Sequence, residues 1–148
     1  MATDVVDTLN DLIATCKDEE YSLRSCAEHT ASSQLRELFI QSAEDCARAS
    51  RELQSQVVQL GQTPDTGGTA GGALHRGWVA LRGSLTGYTD EAMLEEGEHG
   101  EGTTLARYRA ALTHELPEEV RTLVERQAQG MQHNHDQIKA LRERARSH

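Results

Sequence analysis

Four long stretches of this sequence carry apolar residues at alternating steps of three and four, and they come in two pairs. Such spacing places the apolar side chains on one face of an α-helix. The stretches span about residues 4–30, 34–60, 89–115 and 117–146. Only a few residues join the two members of each pair, so the helices of a pair are antiparallel neighbours. The pairing therefore predicts an all-α bundle built from two helical hairpins.

The connection between the two hairpins decides which kind of bundle this is. It covers about residues 61–88, begins with Gly61 and Pro64, and is rich in glycine and threonine. A shorter helix is predicted inside it, over about residues 73–86, with Trp78 on its apolar face. A connection of this length can carry the chain back along the bundle to start the third long helix. One long crossover between two hairpins is a ferritin-like topology, and we predict a single ferritin-like four-helix-bundle domain over residues 1–148.

Composition narrows the partners and the location of such a bundle. The formal net charge is −9 and no basic stripe is present, which argues against nucleic-acid binding because phosphate contacts need clustered Lys and Arg. The sequence contains neither a long apolar run nor an N-terminal signal, so we expect no membrane insertion. Three cysteines without a C-x-x-C pair favour a reducing, cytoplasmic location. Self-association into a homo-oligomer stays open, and no protein partner is identified.

Polar residues interrupt the apolar stripes, or lie beside them, on all four long helices. These residues are Glu20, Glu44, Glu98, Glu101 and His135. With the crossover placed as above and about 1.5 Å of rise per residue, they lie within about one turn of the same height. Carboxylates that converge in a core repel one another and are costly to bury unpaired. A divalent cation would neutralise them, and carboxylate and imidazole donors together suit iron, manganese or zinc.

The five candidate ligands depart from the usual ferritin-like di-metal pattern. In that pattern two helices each supply a Glu and the other two each supply a Glu-x-x-His. The second helix has no histidine three residues after Glu44, and in the last helix Gln132 stands where a glutamate would precede His135. The third helix offers two acids, Glu98 and Glu101, without a histidine. The same residues can also be interpreted as a structural polar layer held by hydrogen bonds and ion pairs.

Several short stretches, in their order along the chain, resemble a known family. They include Leu9-Asn10-Asp11-Leu12-Ile13, Cys16-Lys17-Asp18, Ala27-Glu28-His29, Gly72-Ala73-Leu74-His75-Arg76-Gly77-Trp78, Glu98-His99-Gly100-Glu101, Pro117-Glu118-Glu119-Val120 and His135-Asp136. Together they span nearly the whole chain, which resembles the uncharacterised bacterial ferritin-like four-helix-bundle proteins grouped as a domain of unknown function. The resemblance implies a ferritin-like fold and a bacterial source, and it implies no reaction.

Three functions are consistent with these patterns. The first is a non-enzymatic, stress-related helical bundle that acts by self-association or through a protein partner. The second is a metal-binding protein that uses the five polar residues to hold iron, manganese or zinc. The third is a di-metal oxidase or peroxidase, and the incomplete ligand motifs count against it. We favour the first, keep the second as the alternative, and assign no catalytic residue.

Overall fold

The structure is a computed structural model that describes residues 2–64 and 89–147. These residues form four helices: α1 (Ala2–Glu28), α2 (Ser33–Gln59), α3 (Asp90–Ala111) and α4 (Glu118–Ser147). No strand occurs in the described ranges, so the predicted all-α fold class is confirmed. The short helix predicted over residues 73–86, including Trp78, lies outside the described residues.

Helix ends follow the turn chemistry of the sequence. Ser32 precedes α2 and Thr89 precedes α3, and each side-chain oxygen accepts a hydrogen bond from the backbone N–H three residues later. Such caps satisfy one of the four N–H groups that a helix start leaves unpaired. After α2 the chain enters the left-handed region at Gly61, with φ of 79°. Two backbone hydrogen bonds return from Gly61 and Gln62 to the last turn of α2, which is the Schellman motif that a glycine permits.

Contacts along α1 define how the second hairpin lies against the first. The carboxylate of Asp90 accepts hydrogen bonds from the Thr30 hydroxyl and the Ala31 N–H, in the turn between α1 and α2. Towards the other end of α1, Arg107 lies 3.4 Å from Asp11. Helix α3 therefore starts beside the α1–α2 turn and runs antiparallel to α1. The chain between α2 and α3 must connect opposite ends of the bundle, as the ferritin-like crossover requires.

The bundle interior is mostly aliphatic and is shared by all four helices. Its fully buried members include Leu9, Leu12, Ile13, Leu23, Phe39, Leu53, Val57, Met93 and Ile138. Gly97 lets the ring of Phe39 approach α3, because a Cβ there would lie 2.8 Å from the Phe39 Cε1 atom. None of the described helices has an apolar segment of the length needed to cross a bilayer. Within this apolar interior a small set of polar side chains lies at mid-height, and these form the candidate site.

Candidate functional site

Two of the carboxyl groups buried inside the bundle, one on α1 and one on α3, interact electrostatically. Glu19 is 5% exposed and Glu101 is fully buried. The Thr104 hydroxyl donates a hydrogen bond to Oε2 of Glu19 at 3.1 Å. Oε1 of Glu19 and both carboxyl oxygens of Glu101 have no hydrogen-bond partner among the described residues. Buried carboxyl oxygens are normally satisfied by a hydrogen-bond donor or a cation. These three oxygens therefore lack the partner that their burial calls for.

The missing side chain of Gly100 makes room for Glu19. A Cβ at Gly100 would lie 2.6 Å and 2.8 Å from the two carboxyl oxygens of Glu19. The Thr104 hydroxyl, one turn later, also lies 3.0 Å from the Gly100 carbonyl oxygen. One turn of α3, from Gly100 to Thr104, therefore forms a seat shaped for the Glu19 carboxyl group.

Burial and mutual repulsion hold protons on the carboxyl pair. The pKa of Glu19 is raised to about 8, mainly because burial disfavours the carboxylate; the Thr104 hydrogen bond opposes this rise and the charge of Asp18 adds to it. The pKa of Glu101 is raised well above its usual range by burial and by the charges of Glu19 and Asp45. Like charges in a low dielectric disfavour double ionisation. In the absence of a cation, the pair therefore keeps a proton at neutral pH.

A hydrogen-bonded chain joins all four helices beside the carboxyl pair. The Tyr108 hydroxyl on α3 donates to Oε1 of Gln127 on α4 at 2.7 Å, and Nε2 of Gln127 donates to Glu52 on α2 at 3.1 Å. The sulfur of Cys16 on α1 lies 3.1 Å from the Tyr108 oxygen. Because the phenol proton goes to Gln127, the Cys16 thiol is the donor in that contact. Burial raises the pKa of the Cys16 thiol to about 12, so the thiol stays neutral.

Replacing Tyr108 by phenylalanine is expected to destabilise the bundle by about 1–3 kcal/mol, because Oε1 of Gln127 then stays buried without its donor. Urea unfolding at constant pH measures this difference. The matched control is Tyr21→Phe, since Tyr21 is 56% exposed and should change stability by no more than about 0.5 kcal/mol. Equal effects of the two substitutions would contradict the role assigned to the Tyr108 hydroxyl.

The structure separates the five predicted ligands. Glu101 is buried in the core, as its place on the inward stripe predicted, but its partner there is Glu19, which was not among the five. Glu20 lies at the surface, where Arg24 donates to its carboxylate at 3.0 Å, and Glu44 is exposed. The prediction that Glu20 and Glu44 face the core is wrong, because α1 and α2 direct the adjacent acids, Glu19 and Asp45, towards the core instead.

The inward acid of α1 is Glu19, and on α2 the acid nearest the core is Asp45. Both Glu19 and Glu20 fit a three-or-four spacing after Cys16, so periodicity along α1 does not distinguish them. Asp45 accepts a hydrogen bond from Nδ2 of Asn134 at 3.1 Å and forms an ion pair with Arg48. The signal available in the sequence was therefore a pair of adjacent acids on each of α1 and α2. Packing against the other helices decides which acid of each pair faces the core.

Glu98 and His135 lie elsewhere, along a groove between α3 and α4. This groove has a volume of about 530 Å³, and Glu19 and Glu101 are not part of its lining. Glu98 forms an ion pair with Arg142 at 2.6 Å. The prediction that all five residues form one mid-bundle layer is therefore wrong, because Glu98 lies in the groove beside Arg142 while Glu101 is fully buried in the core.

The buried pair fits a metal ion only in part. Across residues 2–64 and 89–147, no three His, Cys, Asp or Glu side chains are arranged so that they could hold one ion. The pair supplies two carboxyl groups, with the Thr104 hydroxyl beside them. Oxygen donors without imidazole suit hard cations that keep several water ligands, such as manganese or magnesium. The three carboxyl oxygens without hydrogen-bond partners fit such a cation. The set of donors does not fit the histidine-containing di-metal pattern.

Comparison with known proteins adds a family and a fold. A family profile described as a domain of unknown function, DUF2383, matches residues 4–114, and no curated protein matches. Among solved structures, a two-domain protein from Anabaena variabilis with DJ-1/ThiJ/PfpI-like and ferritin-like domains is similar at 14% identity and a TM-score of 0.78. The match covers 99% of this chain and 38% of that protein, so this chain spans well under half of that relative's length.

Two structures of Dps proteins from Mycobacterium smegmatis are also similar. A Dps1 mutant is 16% identical with a TM-score of 0.78, and the match covers 95% of this chain and 96% of that one. The tetragonal form of Dps is 17% identical with a TM-score of 0.76, covering 94% and 86%. At these identities the likeness shows the fold alone, and it confirms the ferritin-like architecture.

Proposed function

Because the chain belongs to the DUF2383 family, a domain of unknown function, we propose a function from its site: a non-enzymatic ferritin-like bundle that holds one divalent cation between Glu19 and Glu101. The observation that supports this proposal is the set of three carboxyl oxygens, buried and without hydrogen-bond partners in the described residues. A cation would satisfy these oxygens and offset the cost of burying ionised carboxylates, which is the main cause of both raised pKa values. Manganese or magnesium is the candidate cation.

The burial of the pair supports binding and argues against turnover. With exposures of 5% for Glu19 and 0% for Glu101, a single ion can enter through a local opening of the bundle. A substrate molecule would need the helices to separate, at the expense of the aliphatic core around them. The neighbouring thiol of Cys16 is already bonded to Tyr108, and it stays a neutral, unreactive group.

Cation binding at this site is coupled to protons. Carboxyl groups must lose their protons to become ligands, so binding releases protons and strengthens as the pH rises. With the pKa of Glu19 raised to about 8, the cation competes with a proton throughout the neutral range. The proposal therefore predicts that affinity increases between pH 6 and pH 8.

Metal addition to the purified, chelator-treated protein tests the proposal. Manganese or magnesium at about one hundred times Kd should stabilise the native state by about 2.7 kcal/mol, a rise of roughly 5–10 °C in Tm. The double substitution of Glu19 and Glu101 by glutamine should abolish this rise, whereas Glu20→Gln, an identical change at the surface, should keep it. No thermal shift, with less than about a tenth of an equivalent of metal bound, would show instead that the pair is a protonated structural element.

A further inference from the structure

We propose that the groove between α3 and α4 binds the oxyanion group of a small molecule, a carboxylate or a phosphate, through Arg142 with His135 at its floor. This groove lies apart from the buried carboxyl pair, so the inference does not rest on the proposed metal site. Its volume of about 530 Å³ falls within the range of small-molecule sites. Its lining includes Glu95, Glu98, Ala106, Arg107, His135 and Arg142.

Arg142 is held in position and keeps donors to spare. Its side chain is only 21% exposed, and its Nε atom lies 2.6 Å from Oε2 of Glu98. No described residue accepts a hydrogen bond from its two terminal Nη atoms. A guanidinium group can bind a carboxylate or phosphate through two parallel N–H donors. Because Glu98 already orders the side chain, less conformational entropy is lost when a ligand binds.

His135 supplies the second polar group of the groove. Its side chain is 19% exposed, and its buried Nδ1 atom has no hydrogen-bond partner among the described residues. The other ring nitrogen, Nε2, lies 3.8 Å from the position that a Cβ of Gly102 would take. The absence of a side chain at Gly102 leaves the space beside Nε2 open. An imidazole N–H directed into this space can donate to a ligand oxygen.

The charges around the groove favour an anion over a metal ion. Arg142 neutralises the charge of Glu98. The guanidinium group of Arg142 also repels any metal ion that approaches the Glu98 carboxylate. Arg107 is exposed and makes only a long contact of 3.4 Å with Asp11. Exposed pairs of this kind are weak, so Arg107 can turn towards a bound anion. Arg107 and Arg142 therefore give the groove two cationic side chains, beside the acids Glu95 and Glu98, of which Arg142 neutralises Glu98.

Isothermal titration calorimetry with inorganic phosphate and with citrate, at constant ionic strength in chloride, tests this inference. The wild-type chain should bind at least one of them with one site per chain. Arg142→Gln should weaken that affinity by at least about tenfold, the loss expected for hydrogen bonds to a charged group. Arg144→Gln removes the same charge from an exposed position outside the groove, and should stay within about twofold. Binding of phosphate alone identifies a phosphate ligand, and binding of citrate alone identifies a carboxylate.

A second pair of variants tests the groove while leaving Arg142 and its ion pair with Glu98 intact. Ala106 lines the groove and is exposed, and Ala110 is exposed one turn further along α3. Ala106→Glu places a negative charge in the groove and should abolish binding, whereas Ala110→Glu should preserve it. Equal losses in Arg142→Gln and Arg144→Gln, equal effects of the two alanine substitutions, or no binding of either anion would overturn the assignment. Retention of anion binding when both Glu19 and Glu101 are glutamine would show that the groove and the metal site act separately.

Discussion

Replacing Glu19 by glutamine is expected to stabilise the metal-free protein at pH 8 by several kcal/mol, with a difference below about 1 kcal/mol at pH 5. The pKa of Glu19 is about 8 in the folded chain against a reference value of 4.5. Between these pH values the folded state binds more protons than the unfolded state. The protonated Glu19 therefore carries no stability penalty below pH 4.5, and the free energy of unfolding of the wild type falls as the pH rises towards 8. Each pKa unit corresponds to about 1.4 kcal/mol, and glutamine removes this penalty because it does not ionise.

Thermal unfolding followed by circular dichroism between pH 5 and pH 8 measures the effect. A gain of a few kcal/mol corresponds to a rise in Tm of about 10 °C at pH 8 for a chain of this size. Glu20→Gln is the matched control, because the neighbouring Glu20 is partly exposed, at 28%, and pairs with Arg24. This substitution should leave the pH dependence of the wild type intact. The assignment of Glu19 as the buried acid would be wrong if Glu20→Gln flattened the pH profile and Glu19→Gln did not.

Alanine at Gly100 and alanine at Gly130 are expected to change stability in opposite directions. Both glycines lie inside helices, where alanine is intrinsically favoured by about 0.5–1 kcal/mol. Nothing lies within 4 Å of a Cβ at Gly130, so Gly130→Ala should gain this amount. At Gly100 the new methyl group would lie 2.6 Å from a Glu19 oxygen. The carboxyl group must then leave its seat and lose the Thr104 hydrogen bond, for a net loss of about 1–2 kcal/mol.

Urea unfolding of the two alanine variants provides this comparison, with the m-value checking that both unfold as the wild type does. The same variants also probe the proposed metal site. Gly100→Ala should weaken the thermal shift on adding manganese, because Glu19 is displaced, and Gly130→Ala should leave it unchanged. A stabilising effect of alanine at both positions would mean that the turn from Gly100 to Thr104 does not hold the Glu19 carboxyl group.

The sequence by itself determined the helices, their pairing and the crossover. Apolar periodicity and turn chemistry are local properties, and residues such as Ser32, Gly61 and Thr89 act on the backbone within a few positions. The short α1–α2 turn forces an antiparallel hairpin, and the connection from about residue 61 to 88 is long enough for one crossover. These features depend on neighbours in the chain, so they can be predicted without knowing what each helix packs against.

Only the tertiary structure decided which acids meet. Successive residues on a helix differ by about 100° in direction, so Glu19 and Glu20 both border the inward face of α1. The seat on α3 at Gly100 and Thr104 selects Glu19. Likewise Glu101 points into the core, while Glu98 pairs with Arg142 in the groove. A polar side chain at the edge of a helical stripe is directed by the partner across from it, and that partner belongs to another helix.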